Sequence, residues 1–238
     1  MFGTRIVVGK RAREEAEKPF WISFADLMTA LMVLFLLVMS VALLAVTKNV
    51  TDAERRTAER EQQVGEVLDR IGKAAAQYPG ITVDNVRNVI DFGDRARFET
   101  GSSLLSKEQA NALRIFVPEV LAVARDDMGR KWLKRIVVEG FADARGDYLL
   151  NLDLSLKRSQ RVLCALLAPT GPNERALTAQ EREQVRDLFL VGGYSFNSAK
   201  KSFEESRRIE LRLEFLRVGE VRPAVDDTQR GDFGVCRI

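Results

Sequence analysis

From Trp21 to Val46 the chain is apolar at almost every position, and from there to its end hydrophobic and polar residues alternate in short, recognisable periods. A hydrocarbon core about 30 Å thick needs roughly 20 apolar residues rising about 1.5 Å each, so the first run predicts one membrane-spanning helix with residues to spare. Helices buried in soluble cores are usually shorter, and a signal-peptide core is shorter still and precedes a small-residue cleavage pattern that is not found here. The anchor is therefore expected to stay attached. Beyond Lys48 the sequence is charged and Ala-rich, with Val64, Val67, Leu68, Ile71 and Ala75 at helical spacing. This predicts that the spanning helix runs on as an amphipathic one until Tyr78-Pro79-Gly80 stops it. Its apolar stripe is narrow, which suits either a two-helix seam with a second copy of the chain or packing on a folded domain. The sequence leaves both open.

The remaining periods alternate between strand and helix. Ile81-Thr-Val and Val86–Phe92 flank Asp84-Asn85, a tight-turn dipeptide, and predict a β-hairpin. Ser106-Lys-Glu-Gln109 is a capping box opening a helix to about Arg125, with Pro118 a candidate kink. Ile136–Gly140 reads as a buried strand, and Leu152, Leu156, Leu163 and Leu166 mark a second long helix. Thr178-Ala-Gln-Glu181 caps a short helix, followed by strands at Leu188–Val191 and Ile209–Phe215. The fold class is thus α+β: a single N-terminal transmembrane helix with a helical extension, then an α/β two-layer sandwich domain. The divisions expected are a tail at 1–18, the spanning helix at 19–47, an amphipathic linker at 48–79, the domain at 80–217 and a C-terminal tail at 218–238.

Inside the apolar run stands a single carboxylate, Asp26. An ionisable group there costs roughly 2.5–3.5 kcal/mol on insertion scales and is expected to face protein or water rather than lipid. Ser23, Asp26, Thr29 and Ala30 recur at three and four residues, stacking small and polar groups on one helix side that would meet a partner helix. A carboxylate taken out of water favours its protonated form and releases the proton when rewetted, which is the chemistry of an ion relay. The alternative is an Asp near the membrane surface that merely pairs with Lys18.

Composition narrows the function further. The formal net charge is +3 with charged residues at 30 % and no basic tract interleaved with aromatics, which gives no case for direct nucleic-acid binding. Histidine is absent, so His-dependent triads and His-containing metal sites are excluded. With neither a phosphate-binding loop nor a nucleophile elbow, no enzyme, cofactor or metal site is expected. The two cysteines, Cys164 and Cys236, would either form a disulfide stapling the tail to the domain or remain one buried and one free thiol.

Pro19–Thr29, with Asp26 inside it, resembles the start of the MotB-type stator helix, whose Asp carries the ion in rotary motors. That resemblance implies a homodimer whose two helices sit within a pentameric MotA-like membrane subunit, with Asp26, Ser23 and Thr29 on the ion path; one carboxylate with Ser and Thr neighbours makes no dedicated Na⁺ cage, so the expected ion is a proton. Gly140-Phe-Ala-Asp143-Ala-Arg-Gly146, together with Asn151-Leu-Asp-Leu-Ser155-Leu-Lys-Arg158-Ser, is similar to the signature of OmpA-like peptidoglycan-binding domains. Phe98–Ser102 and Ser206-Arg-Arg-Ile-Glu210 extend the likeness over residues 85 to 216. In that family the matching Asp and Arg clamp the diaminopimelate of the stem peptide, which assigns the role to Asp143 and Arg158, with Asn151 and Leu154 shaping the pocket. A carboxylate meeting an ammonium and a guanidinium fork meeting a carboxylate is sound chemistry. Otherwise Asp143 would only cap a helix and Arg158 would be a solvated charge. The sequence departs from the family at Phe141, Ala142 and Ser159, beside the key pair.

A wall-binding domain implies a bacterial inner-membrane protein with a cytoplasmic N-terminus and a periplasmic C-terminal domain. Within stator relatives the whole chain most resembles the ZorB subunits of Zorya anti-phage systems, through Met1-Phe-Gly, Glu17–Trp21, Gly192–Asn197 and Ser206-Arg-Arg. This implies a ZorA-like partner ring and, indirectly, cytoplasmic effectors that attack invading DNA. A flagellar-type stator subunit and a passive OmpA-like tether are the competing readings.

Overall fold

The computed structural model describes residues 14–171, 174–222, 233, 234 and 236; the N-terminal part of the polar tail and most of the C-terminal tail lie outside the described residues. Two compact units are present, one ending at Arg56 and the other beginning at Thr57. The first helix, α1 (Glu14–Ala75), is continuous over 62 residues. Within the first unit its described side chains from Trp21 onward are all exposed, including the apolar run from Leu27 to Val46. Among the described residues this is the one helix long and apolar enough to cross a membrane, by length and composition.

The end of α1 belongs to the second unit. Val64, Val67, Leu68, Ile71 and Ala75 are buried in the same core as the sheet and helices that follow. Burying each of the larger ones is worth about 1.5–3 kcal/mol in transfer terms. Polar anchors add to this: Arg60 donates to the Leu216 carbonyl at 2.6 Å, and the indole of Trp132 donates to Gln63 at 2.7 Å. Of the two uses left open for the stripe, packing on the chain's own domain is the one observed, and the second compact unit begins at Thr57. The helix ends at Ala75, just ahead of Tyr78-Pro79-Gly80, where Gly80 takes a positive φ of 89°.

Next come β1 (Thr82–Asp84) and β2 (Val89–Asp91), paired antiparallel with Asp84 opposite Val89. The hairpin is there, but its second strand starts later than Val86. The Asp84 carboxylate accepts the N–H groups of Val86 and Arg87 at 3.0 Å, a local turn that competes with strand pairing, and Asn88 closes the loop with φ 55°. A 3-10 turn, Gly93–Ala96, leads to α2 (Lys107–Arg125), whose capping box at Ser106 and Gln109 forms as expected. The helix runs through Pro118 without interruption. A short α3 (Asp127–Trp132), absent from the sequence reading, precedes β3 (Leu133–Gly140). Then follow α4 (Tyr148–Leu167), α5 (Ala179–Leu188), β4 (Phe189–Gly193), a one-turn α6 (Phe203–Ser206) and β5 (Ile209–Phe215).

The strands form one sheet in the order β1-β2-β5-β3-β4, antiparallel except for β3 beside β4. Ile136, Val138, Ile209, Leu211 and Leu213 send one sheet face into the core shared with the helices. The alternate positions carry ion pairs on the other face, among them Arg135 with Glu214 at 2.5 Å and Arg212 with Glu139 at 2.5 Å. The result is a two-layer α/β domain.

Helix α4 departs from the expected leucine stripe. Its buried face is Asn151, Ser155, Arg158, Ser159, Val162, Ala165 and Leu166, while Leu156 is exposed. The first half lies directly on strand backbone. A Cβ on Gly140 would stand 1.9 Å from the Ser155 carbonyl oxygen, and one on Gly193 would stand 2.8 Å from the Leu156 nitrogen. At such a distance only small side chains fit, so this end of the helix has no leucine core and is free to carry polar groups.

Cys164 on α4 and Cys236 form a disulfide, with Cα atoms 5.7 Å apart and a sequence separation of 72. A cross-link over that separation removes about 4 kcal/mol of denatured-state entropy in the loop-closure account. Reduction, or Cys164→Ser, is expected to lower the thermal midpoint of the domain by several degrees, which calorimetry with and without reductant measures. An unchanged midpoint would show that the bridge closes nothing in solution.

Candidate functional site

Three segments converge at the C-terminal end of β3. The loop after Gly140 carries Asp143 and Arg145, the first turns of α4 carry Asn151, Leu154 and Arg158, and the segment Phe98–Ser102 faces them with its backbone. Together they line a cleft of about 460 Å³. Leu154 forms part of its wall, half-buried. A larger groove of about 940 Å³ runs elsewhere, past Arg60, Lys134, Arg135 and Arg212, and holds none of the expected binding residues. Two of its charge pairs close within it, Lys134 with Glu220 and Arg135 with Glu214, while Arg212 pairs with Glu139 outside it.

Arg158 has no exposed surface. Its Nε donates to the Ser102 carbonyl at 2.9 Å, one terminal nitrogen to that of Phe141 at 2.7 Å and the other to that of Glu99 at 3.2 Å. The guanidinium also lies over the Phe98 ring, 4.9 Å from its centroid. Burial, then the positive charge of Arg207, pushes its pKa down to about 10, with Asp143 acting in the opposite sense. It therefore stays charged at neutral pH. Of its five N–H groups three are used on protein, leaving one on each terminal nitrogen.

Asp143 is 6 % exposed and held by two other arginines. Arg145 forks onto it, Nε to Oδ1 at 3.1 Å and a terminal nitrogen to Oδ2 at 2.6 Å, and Arg207 reaches Oδ2 at 3.2 Å. The side-chain bonds from Arg145, followed by its backbone N–H and by Arg207, hold the Asp143 carboxyl down at about 2 against the cost of burial. Among the described residues no ion pair joins Asp143 to Arg158, although both line the same cleft. Asn151 braces the loop instead of lining it only: its amide donates to the Arg145 carbonyl at 2.8 Å.

Arg145 and Arg207 were missing from the sequence-derived site. Arg207 lies in the Ser206-Arg-Arg motif and donates from Nε to the Phe98 carbonyl at 2.8 Å, so the strand motif contributes a site residue and not only a strand. Phe141 and Ala142 are buried, Phe141 between the Tyr194 ring, 5.4 Å away, and the Arg208 guanidinium, 4.1 Å away. The Ser159 hydroxyl bonds within its own helix, to the Leu156 carbonyl. These departures from the family pattern thus sit under the cleft and not in its wall.

In the first unit, helical geometry keeps Ser23, Asp26 and Thr29 on one side of α1, and all three are exposed in the single chain. The Thr29 hydroxyl donates to the Asp26 backbone carbonyl at 2.8 Å, a bond within the helix rather than to the carboxylate.

The chain is 45 % identical over 228 residues to the Zorya protein ZorB of Escherichia coli O139:H28, covering 95 % of this chain and 93 % of that one. It belongs to the ZorB family. Residues 8–50, which include Asp26, also match a family described as membrane MotB of the proton-channel complex MotA/MotB. Among solved structures, this ZorB-family chain resembles the OmpA-like domain of FopA1 from Francisella tularensis at 16 % identity and a TM-score of 0.34, covering 58 % of this chain and 82 % of that one. The periplasmic domain of Helicobacter pylori MotB aligns at 14 % identity and a TM-score of 0.35, over 53 % and 74 %.

Proposed function

We propose that this ZorB-family chain is the wall-anchored stator subunit of a proton-driven inner-membrane motor in anti-phage defence. The observation that carries the proposal is Asp26, the single ionisable residue in an apolar helix, within the stretch that matches the proton-channel family. Two copies of the chain inside a pentameric ZorA-like ring would each offer Asp26 as the proton carrier, with Ser23 and Thr29 on the same helix side. A lone carboxylate with hydroxyl neighbours does not make a dedicated Na⁺ cage, which favours the proton. The N-terminus would be cytoplasmic and the domain periplasmic.

The wall clamp supplies the reaction torque, because a subunit held to peptidoglycan cannot turn with the ring. Arg158 would direct its two remaining N–H groups at a stem-peptide carboxylate and Asp143 would receive the ammonium of diaminopimelate, with Asn151 and Leu154 supporting the pocket. Nothing in this chemistry requires bond cleavage, a metal or a cofactor. Contact with DNA would fall to cytoplasmic effectors.

The test is a paired assay. Cells with the native operon, intact or lacking this gene, are challenged with phage, and the gene is expressed in a MotB-deficient strain scored for swimming. Protection that depends on the gene, without rescue of swimming, is the expected result. Rescue of swimming without protection would transfer the chain to flagellar stators, and neither would leave the passive tether.

A further inference from the structure

We infer that Arg145 is a built-in occupant of the Asp143 subsite, and that the wall peptide binds by displacing it. The inference rests on the peptidoglycan reading of the cleft. Asp143 and Arg158, the two groups that would read the ligand, both line the cleft but are only 6 % and 0 % exposed, and the Asp143 carboxylate is already taken up by Arg145. The group on the outside is Arg145, whose side chain is 48 % exposed.

Its contacts are those of a bound cation. It forks onto both oxygens of Asp143, donates to the Thr100 hydroxyl at 3.2 Å and covers the Phe203 ring at 4.7 Å. An incoming ammonium would need the same carboxylate oxygens. Arg207 also pairs with Asp143, but its side chain is 11 % exposed and tied to the Phe98 carbonyl, so it belongs to the floor and stays.

The arrangement lets the side chain leave while the loop stays in place. The Arg145 backbone N–H is held by Asp143 Oδ1 at 3.1 Å and its carbonyl by Asn151, and Gly146, at φ 89°, completes the turn. Only the exposed guanidinium must swing out. The Arg145 end of the pair is half exposed, so its guanidinium regains water as it leaves, and a ligand that brings its own cation to Asp143 and also engages Arg158 can compete it away.

The experiment measures binding of a soluble muropeptide ending in meso-diaminopimelate to the full chain in detergent, by titration calorimetry, for wild type, Arg145→Ala and Arg145→Lys, with matched melting profiles. If Arg145 competes, Arg145→Ala binds at least about fivefold tighter than wild type, the upper end for an exposed pair because the Asp143 side is buried, and Arg145→Lys falls between. Equal or weaker binding by Arg145→Ala, with wild type binding normally, overturns the inference and would make Arg145 a ligand contact. Absence of binding by wild type and both variants overturns the wall reading and this inference with it.

Discussion

Asp26→Asn in the native operon is expected to abolish protection, raising plaquing efficiency to that of cells lacking the system while membrane levels of the protein stay equal to wild type. The substitution keeps the shape of the side chain and removes only its capacity to take up and release a proton. Between Pro19 and Thr47 the sequence holds no other ionisable residue that could take over the role. Stability works in favour of a clean result. A charged Asp in the bilayer costs roughly 2.5–3.5 kcal/mol on insertion scales, and a neutral amide costs less, so the variant helix inserts at least as well.

Asp26→Glu sharpens the same test. It restores the ionisable group one methylene further out, and partial protection would tie the effect to proton exchange instead of to shape. Thr29→Val is expected to have a smaller effect than Asp26→Asn, because the Thr29 hydroxyl is bonded to the Asp26 backbone carbonyl and not to its carboxylate. Full protection by Asp26→Asn would reduce the carboxylate to a structural group and leave the tether reading standing.

The parts of the fold that the sequence revealed are those in which local chemistry and burial agree. The capping boxes at Ser106 and Thr178 formed because side chain and backbone satisfy each other within four residues, and Ile209–Phe215 alternates cleanly because one face meets the core. The β2 start was misread because Val86 looks like a strand residue, yet the Asp84 turn leaves it 93 % exposed. Helix α4 was misread for a different reason. Its buried face is set by how closely Gly140 and Gly193 let backbone approach backbone, a constraint that hydrophobic periodicity does not record. The site followed the same division. Asp143 and Arg158 stand in motifs with their own chemistry, whereas the three carbonyls around Arg158 belong to Glu99, Ser102 and Phe141, whose side chains give no hint of that use. Arg207 was in view inside a quoted motif; what sequence lacked was the fold that brings β5's leading edge to the β3 loop.

Arg158→Ala is expected to eliminate wall binding and to destabilise the domain together, and the two effects must be separated. Truncation removes a donor from the buried Phe141 carbonyl, at about 1–3 kcal/mol, and from the part-buried carbonyls of Ser102 and Glu99, the latter still accepting the Ser102 N–H at 3.1 Å, and it empties the space beside Phe98. With the cavity included, the loss is roughly 2–5 kcal/mol, a large share of the 5–15 kcal/mol that a domain typically has. Loss of pull-down on diaminopimelate-type peptidoglycan by Arg158→Ala would therefore not by itself prove contact with the ligand. Asp143→Asn supplies the missing arm. It keeps volume and the turn, takes the charge away from Arg145 and Arg207, and is expected to weaken pull-down severalfold with a much smaller drop in melting temperature. The pH profile checks the same carboxylate. Its folded-state pKa of about 2 lies below the ordinary 3.8, so its stabilising charge is fully present above pH 3.8 and is lost as pH falls towards 2. Wall binding by the wild type should accordingly be flat from neutrality down to about pH 5, so far as Asp143 governs it. Normal pull-down by a folded Asp143→Asn would remove Asp143 from the ligand site.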